Sequence, residues 1–151
     1  GSAGFGGNVV TPYVQEVQKL VEKAGERVKF TGYIENQKLY RYYQSADIQV
    51  IPSLWEEAAG LIAIEGMLSG LPLIITKSGG MIEYAPSNVA VWIDRDNIIP
   101  NLEAAIIQLA DDKEKRKEMS ELSLEQAKEF PKKKFYEDYI EVFEHEGTRK
   151  R

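Results

Sequence analysis

The feature that most narrows what this chain can become is its alternation of short apolar runs with segments of helical period, uninterrupted by hairpin turns. Val28 to Phe30, Ile48 to Ile51, Leu73 to Thr76 and Val89 to Ile93 are brief runs rich in β-branched residues, and each reads as a strand. Gly32, Pro52-Ser53 and Gly79-Gly80 punctuate the chain after the first three. Between and around the runs lie helical spacings: Tyr13, Val17, Leu20, Val21 and Ala24, opened by Pro12 and closed by Gly25; Leu39, Tyr42, Tyr43 and Ala46; Leu61, Ile64 and Leu68 up to Gly70; and Asn101 to Leu109. Successive strands about twenty residues apart leave room for a crossover helix and too much chain for a hairpin. The pattern predicts an α/β fold with four parallel strands and helices on both faces. Beyond Asp111 the chain reads as a charged helical tail with Met119, Leu122 and Leu124, broken at Pro131 and resuming with Phe135, Tyr139, Val142 and Phe143 as packing residues.

Length and charge bound the function. The 151 residues suffice for one core, so residues 1–151 are expected to form a single domain. A net charge of −5 offers no basic field for a phosphate backbone, which argues against nucleic-acid binding while leaving room for a small phosphate-bearing ligand. The absence of cysteine excludes disulfides, thiolate metal sites and a cysteine nucleophile, and permits a cytoplasmic location. His145 is the only imidazole, and its place on a charged terminal segment reads as solvated. The opening Gly1-Ser2-Ala3-Gly4-Phe5-Gly6-Gly7 lacks the basic start and apolar stretch of a signal peptide; it fits either a linker or a loop that follows a strand.

In a parallel sheet, ligands bind at the carboxyl ends of the strands, so the loops at Gly32, Ser53, Lys77 and Asp94 form the rim to search. The richest segment there runs from Pro52 to Met67, with Glu57 and Glu65 eight residues apart. If a helix starts near Ala58, a rise of ~1.5 Å per residue carries Glu65 on the order of 10 Å along its axis. Helix-start amides, among them those of Gly60 and Leu61, would then stand between two carboxylates, a layout suited to a diphosphate flanked by sugar hydroxyls. The same spacing also fits a dipole-complementing Glu57 and a solvated Glu65. Against solvation, Leu61-Ile62-Ala63-Ile64 is too apolar for an open face, which predicts a partly enclosed Glu65 that needs partners.

Pro52-Ser53, the E-x7-E pair Glu57 and Glu65, Gly70-Leu71-Pro72 and Gly79-Gly80-Met81-Ile82-Glu83 occur in order, with Phe30-Thr31-Gly32-Tyr33-Ile34 and Ser45-Ala46-Asp47-Ile48 ahead of them. Along nearly its whole length the chain thereby resembles the carboxyl-terminal domain of retaining GT-B glycosyltransferases of family GT4. E-x7-E alone is weak; the ordered set is specific. The resemblance implies a Rossmann-like domain that binds a nucleoside diphosphate sugar, UDP-sugar foremost, without cofactor or metal. It also implies an amino-terminal acceptor domain absent from these residues. Hexosyl transfer with retention to a cell-surface glycan or glycolipid would follow, in the cytoplasm or at the inner face of the plasma membrane, with peripheral membrane association through the absent domain.

The implied donor site comprises Glu57, Ala58, Gly60, Leu61, Glu65, Gly32, Tyr33 and Ile34. Within it Glu57 is the catalytic residue and orients the transferred sugar, Glu65 binds the ribose hydroxyls, the amides of Gly60 and Leu61 meet the diphosphate, and the Gly32-Tyr33-Ile34 loop meets the base. The family's basic pair for the diphosphate belongs to a βα unit outside these residues, so the chain alone is expected to bind donor weakly and to be inactive. Ala58-Ala59 stands where the family often has Pro-Phe, a variant similar to lipopolysaccharide and capsule enzymes. From a different class, the alternative is a non-catalytic nucleotide or nucleotide-sugar binding module.

Other motifs have simpler readings. Asp94-Arg95-Asp96 matches a D-x-D metal signature, but a strand-to-helix turn capped by Asp96 is the simpler explanation. Tyr40, Tyr42 and Tyr43 read as core and rim packing rather than base stacking. Gly79-Gly80 is not a dinucleotide fingerprint, since no G-x-G-x-x-G follows a first strand.

Overall fold

The computed structural model describes residues 11–56 and 60–130. The chain divides into two compact units, residues 1–42 and 43–151.

In the first unit, α1 (Pro12–Ala24) starts where Thr11 Oγ1 accepts from Val14 N at 3.3 Å, and Pro12 fills a first-turn position that needs no N–H donor. A 3₁₀ turn, Gly25–Arg27, follows. The run Val28 to Phe30 does not become a strand. Val28 is extended (φ −127°, ψ 129°), but among the described residues no neighbour pairs with the run, and β propensity without a partner makes no ladder. Helix α2 (Asn36–Gln44) begins in this unit and crosses into the next.

The second unit holds the sheet. Strands β1 (Gln49–Ile51), β2 (Leu73–Thr76) and β3 (Ala90–Ile93) pair in parallel in the order β1-β2-β3, with Gln49 opposite Leu73 and Thr76 opposite Ile93. The described sheet thus has three strands, not four. β2 is buried at all four positions, the mark of a central strand covered on both faces. Leu73 and Ile75 pack with Ala63 and Met67 of α3 (Leu61–Leu68) and Met81 of α4 (Met81–Tyr84). Ile74 packs the opposite way, with Ala105 and Leu109 of α5 (Ile98–Asp111) and Met119 of α6 (Lys113–Ala127). Helices therefore cover both faces, as the apolar pattern demands.

Helix α6 buries Met119, Ser123 and Ala127, one stripe at i, i+4 and i+8; Leu124, expected inside, is 49% exposed. The small residues win because α6 lies close to the end of α3. Ser123 Oγ donates to Leu71 O at 2.9 Å, and a Cβ on Gly70 would come within 3.2 Å of Ser120 Oγ. The segment after Phe130, with Pro131, Phe135, Tyr139, Val142, Phe143 and His145, lies outside the described residues, as does the opening glycine-rich run.

Candidate functional site

Three loops leave the carboxyl ends of the strands, and side chains tie them together. Thr76 Oγ1 donates to Ser53 O at 2.5 Å and Ser78 Oγ to Trp55 O at 2.7 Å, joining the loops after β1 and β2. Lys77 pairs with Asp94 at 2.9 Å, joining those after β2 and β3. Glu56 accepts from Gly79 N at 2.6 Å through Oε2 and pairs with Arg95 at 2.6 Å through Oε1. The Gly79 amide, and then the Arg95 guanidinium, hold the Glu56 carboxyl below its ordinary value. Ser53, Lys77 and Asp94 thus share a rim as the sequence predicts.

Helix α3 begins at Leu61, three residues later than the sequence suggested, because Gly60 adopts a left-handed conformation (φ 47°) that ends the loop. A side chain is doubly unwelcome there: a Cβ on Gly60 would stand 2.3 Å from Met81 Cγ, and Met81 is fully buried. Gly60 O accepts from Ala63 N at 2.8 Å, closing the first turn. The amino terminus of α3 consequently lies in the connection that leaves β1, with the first amides of the helix uncommitted within the helix itself. Glu57, Ala58 and Ala59 lie outside the described residues, so the axial estimate for Glu57 to Glu65, which assumed a start at Ala58, does not apply.

Glu65 is exposed rather than enclosed. The buried stripe of α3 is Ala63, Gly66 and Met67; Glu65 sits about 200° round the helix from Ala63, on the same side as Leu61 and Leu68. Leu61 is 65% and Ile62 43% exposed, so the apolar run before Glu65 does not shelter it. It nevertheless has a partner that local spacing does not announce. Tyr43 Oη donates to Glu65 Oε2 at 2.9 Å, from α2 and 22 residues away. Burial first, then the Glu65 hydrogen bond and charge, push the Tyr43 phenol up to about 12. Tyr43 packs on the core as expected, whereas Tyr40 and Tyr42 are half exposed. A carboxylate has two oxygens with about four acceptor positions, so this bond orients Glu65 and leaves Oε1 able to receive a hydroxyl.

Gly32 (φ 68°), Tyr33 and Ile34 form an irregular segment of the first unit. Asp96 does not cap α5: Asn97 holds the cap position in a left-handed conformation without a side-chain cap bond, and Asp96 O instead accepts from Asn101 Nδ2 at 2.9 Å. Asp94 is engaged with Lys77, and among the described residues no group of three or more His, Asp or Glu side chains gathers as a metal site. Residues the sequence reading missed are Glu56, overlooked beside Glu57, and Arg95, treated only as the middle of D-x-D. The available signal was a cation between two carboxylates at a strand end.

A three-layered α/β unit with a parallel sheet covered by helices on both faces is a Rossmann-like architecture. The sequence pattern described as Glycosyl transferases group 1 matches residues 5–126, and the chain belongs to that family. It is 28% identical over 146 residues to spore coat protein SA of Bacillus subtilis, covering 95% of this chain and 39% of the relative. It is 34% identical over 115 residues to D-inositol 3-phosphate glycosyltransferase of Corynebacterium glutamicum, covering 74% of this chain and 27% of that enzyme. Sucrose-phosphate synthase from Thermosynechococcus elongatus superposes with a TM-score of 0.78 at 24% identity, over 91% of this chain and 35% of the synthase, a likeness of fold. The chain spans well under half the length of these relatives.

Proposed function

We propose that this chain forms the donor half of a two-domain glycosyltransferase that moves a hexose from a nucleoside diphosphate, UDP foremost, to a cell-surface glycan or glycolipid with retention of configuration. Glu57 orients the transferred sugar, Ala58 lines the same turn, the amides of Gly60 and Leu61 receive the diphosphate, and Glu65 takes the ribose hydroxyls. The Gly32-Tyr33-Ile34 loop meets the base. The observation that carries this reading is the β1–α3 junction: Gly60, left-handed and packed on Met81, opens a helix whose fifth residue, Glu65, is oriented by Tyr43. A helix amino terminus attracts phosphate oxygens, and a carboxylate one turn further on accepts hydroxyl hydrogen bonds.

Transfer in this reading needs no metal. The diphosphate carries about two negative charges, and an exposed helix end contributes only ~0.3–1 kcal/mol towards holding them. The remaining cationic contacts belong to a βα unit outside these residues, and the acceptor site to an amino-terminal domain of a longer protein, through which peripheral attachment at the inner face of the plasma membrane would occur. Among the described residues no helix is long and apolar enough to cross a membrane. Titrating the full-length protein with UDP, GDP and ADP sugars tests the assignment. Saturable binding of one series supports it, and indifference to all three overturns it.

A further inference from the structure

At the opposite end of the sheet from the rim of Ser53, Lys77 and Asp94 lies a cleft of about 340 Å³. It is lined by the two turns that enter the strands, Ala46-Asp47 ahead of β1 and Ser69 to Pro72 ahead of β2, and by one face of α6. Lys113, Arg116, Lys117 and Ser120 make up that face at i, i+3, i+4 and i+7. Helix α6 packs on the protein through a different stripe, Met119, Ser123 and Ala127, so packing does not account for the basic one. Three cations meet a single carboxylate in the cleft, that of Asp47, in a chain whose net charge is −5.

A structural role explains one of these cations and not the others. Arg116 Nη1 donates to Leu109 O at 2.5 Å and to Ala110 O at 2.6 Å, closing the end of α5. Those bonds hold the guanidinium in place and leave its Nε and Nη2 hydrogens for another acceptor. Lys113 and Lys117 are exposed, and among the described residues neither lies within ion-pair distance of a carboxylate, although Glu114 and Glu121 stand at i−3 and i+4 from Lys117. As like charges at i, i+4 the two lysines repel, which weakens the helix that carries them. Ser120 Oγ has no hydrogen-bond partner among the described residues, and Gly70 beside it keeps the space open, since a Cβ there would stand 3.2 Å from that oxygen. We propose that this cleft binds a phosphate group, the terminal phosphomonoester of a sugar phosphate or of a lipid headgroup. Such a group carries about two negative charges and three acceptor oxygens, enough to take both ammonium groups, the fixed guanidinium and the hydroxyl together. A carboxylate brings one charge and two oxygens, and leaves donors unmet.

The test titrates the full-length protein, labelled with ²H and ¹⁵N, with inorganic phosphate at constant ionic strength, chloride making up the balance. The amide resonances of Gly70, Lys117 and Ser120 should shift saturably. The K113Q/K117Q double variant should bind about five- to tenfold more weakly, the scale of two exposed charge-assisted bonds. K115Q removes the same charge from the same helix, but Lys115 lines a different groove beside Glu118, so this variant should bind within about twofold of the parent. K117Q alone, expected to lose about threefold, supplies the answer if the double variant fails to fold. Sedimentation with phosphatidylcholine vesicles, with and without phosphatidic acid, separates the two sources. Binding that needs both phosphatidic acid and the two lysines assigns a lipid headgroup, and a phosphate response without vesicle binding assigns a soluble phosphomonoester. Shifts that grow linearly without saturating, or a lysine variant that responds as the parent does, overturn the proposal.

Discussion

Replacing Gly60 by alanine is expected to destabilise the protein through two separable effects. The backbone there has φ 47°, and holding a residue with a Cβ in that region costs ~1–2 kcal/mol. The new methyl would also stand 2.3 Å from Met81 Cγ, in a place where Met81 has no exposure and must push its neighbours to yield. Overpacking of that kind costs ~1–3 kcal/mol, for a total of about 2–5 kcal/mol. In a chain of this size each kcal/mol lowers the melting temperature by ~2–4 °C, so Gly60→Ala should melt about 4–20 °C below the parent by circular dichroism. A double-mutant cycle separates the effects. Met81→Ala alone should cost ~2–5 kcal/mol by opening a cavity. Combined with Gly60→Ala it should lose ~1–3 kcal/mol less than the sum, because the new methyl occupies vacated space and only the backbone term persists. Strict additivity would refute the contact, and a single variant melting within a degree of the parent would refute contact and strain together.

Raising the pH from 9 to 11 should weaken the parent more than Tyr43→Phe in urea unfolding. A phenol lifted from 10 to about 12 contributes stability that is whole below pH 10 and is lost as pH climbs through 12, so equal pH dependence would contradict the burial of Tyr43 and its bond to Glu65 as the joint cause of that rise. Transfer by the full-length protein should be indifferent to EDTA; loss of activity that magnesium or manganese restores would reinstate Asp94-Arg95-Asp96 as a metal site. Residues 1–151 alone should show no sugar transfer at catalytic concentration, and measurable turnover would contradict the assignment of the acceptor site to another domain.

What was legible in the sequence was whatever depends on local chemistry. Thr11 before Pro12, and Gly25 after the periodic run, mark the ends of α1 without further help. β2 was legible because a strand buried on both faces is apolar at successive positions. Val28 to Phe30 carries the same local signal, yet strand formation is a property of two segments, and among the described residues none pairs with this run. In α3 the large residues suggested the inner face, whereas Ala63, Gly66 and Met67 occupy it. Small residues let the helix approach the sheet so closely that a Cβ on Gly66 would fall on the Gln49 side chain. That choice of face is also why Glu65 turned out exposed. The Tyr43–Glu65 and Glu56–Arg95 contacts bridge residues distant in the chain, and no periodicity records such pairs.

The division of labour between Glu57 and Glu65 is the centre of the proposed donor site, and one calorimetric comparison in the full-length protein tests it most directly. Glu65→Gln keeps an acceptor oxygen but turns charge-assisted hydrogen bonds into neutral ones. It should therefore weaken plain nucleoside diphosphate and its sugar conjugate alike, by roughly 1–2 kcal/mol, or about five- to thirtyfold in Kd. Glu57→Gln should leave plain diphosphate affinity nearly unchanged while weakening the conjugate and lowering kcat, because its contact is made to the transferred sugar. Equal loss of plain diphosphate binding in both variants would contradict the division, and no loss in either would return both glutamates to the role of solvated carboxylates.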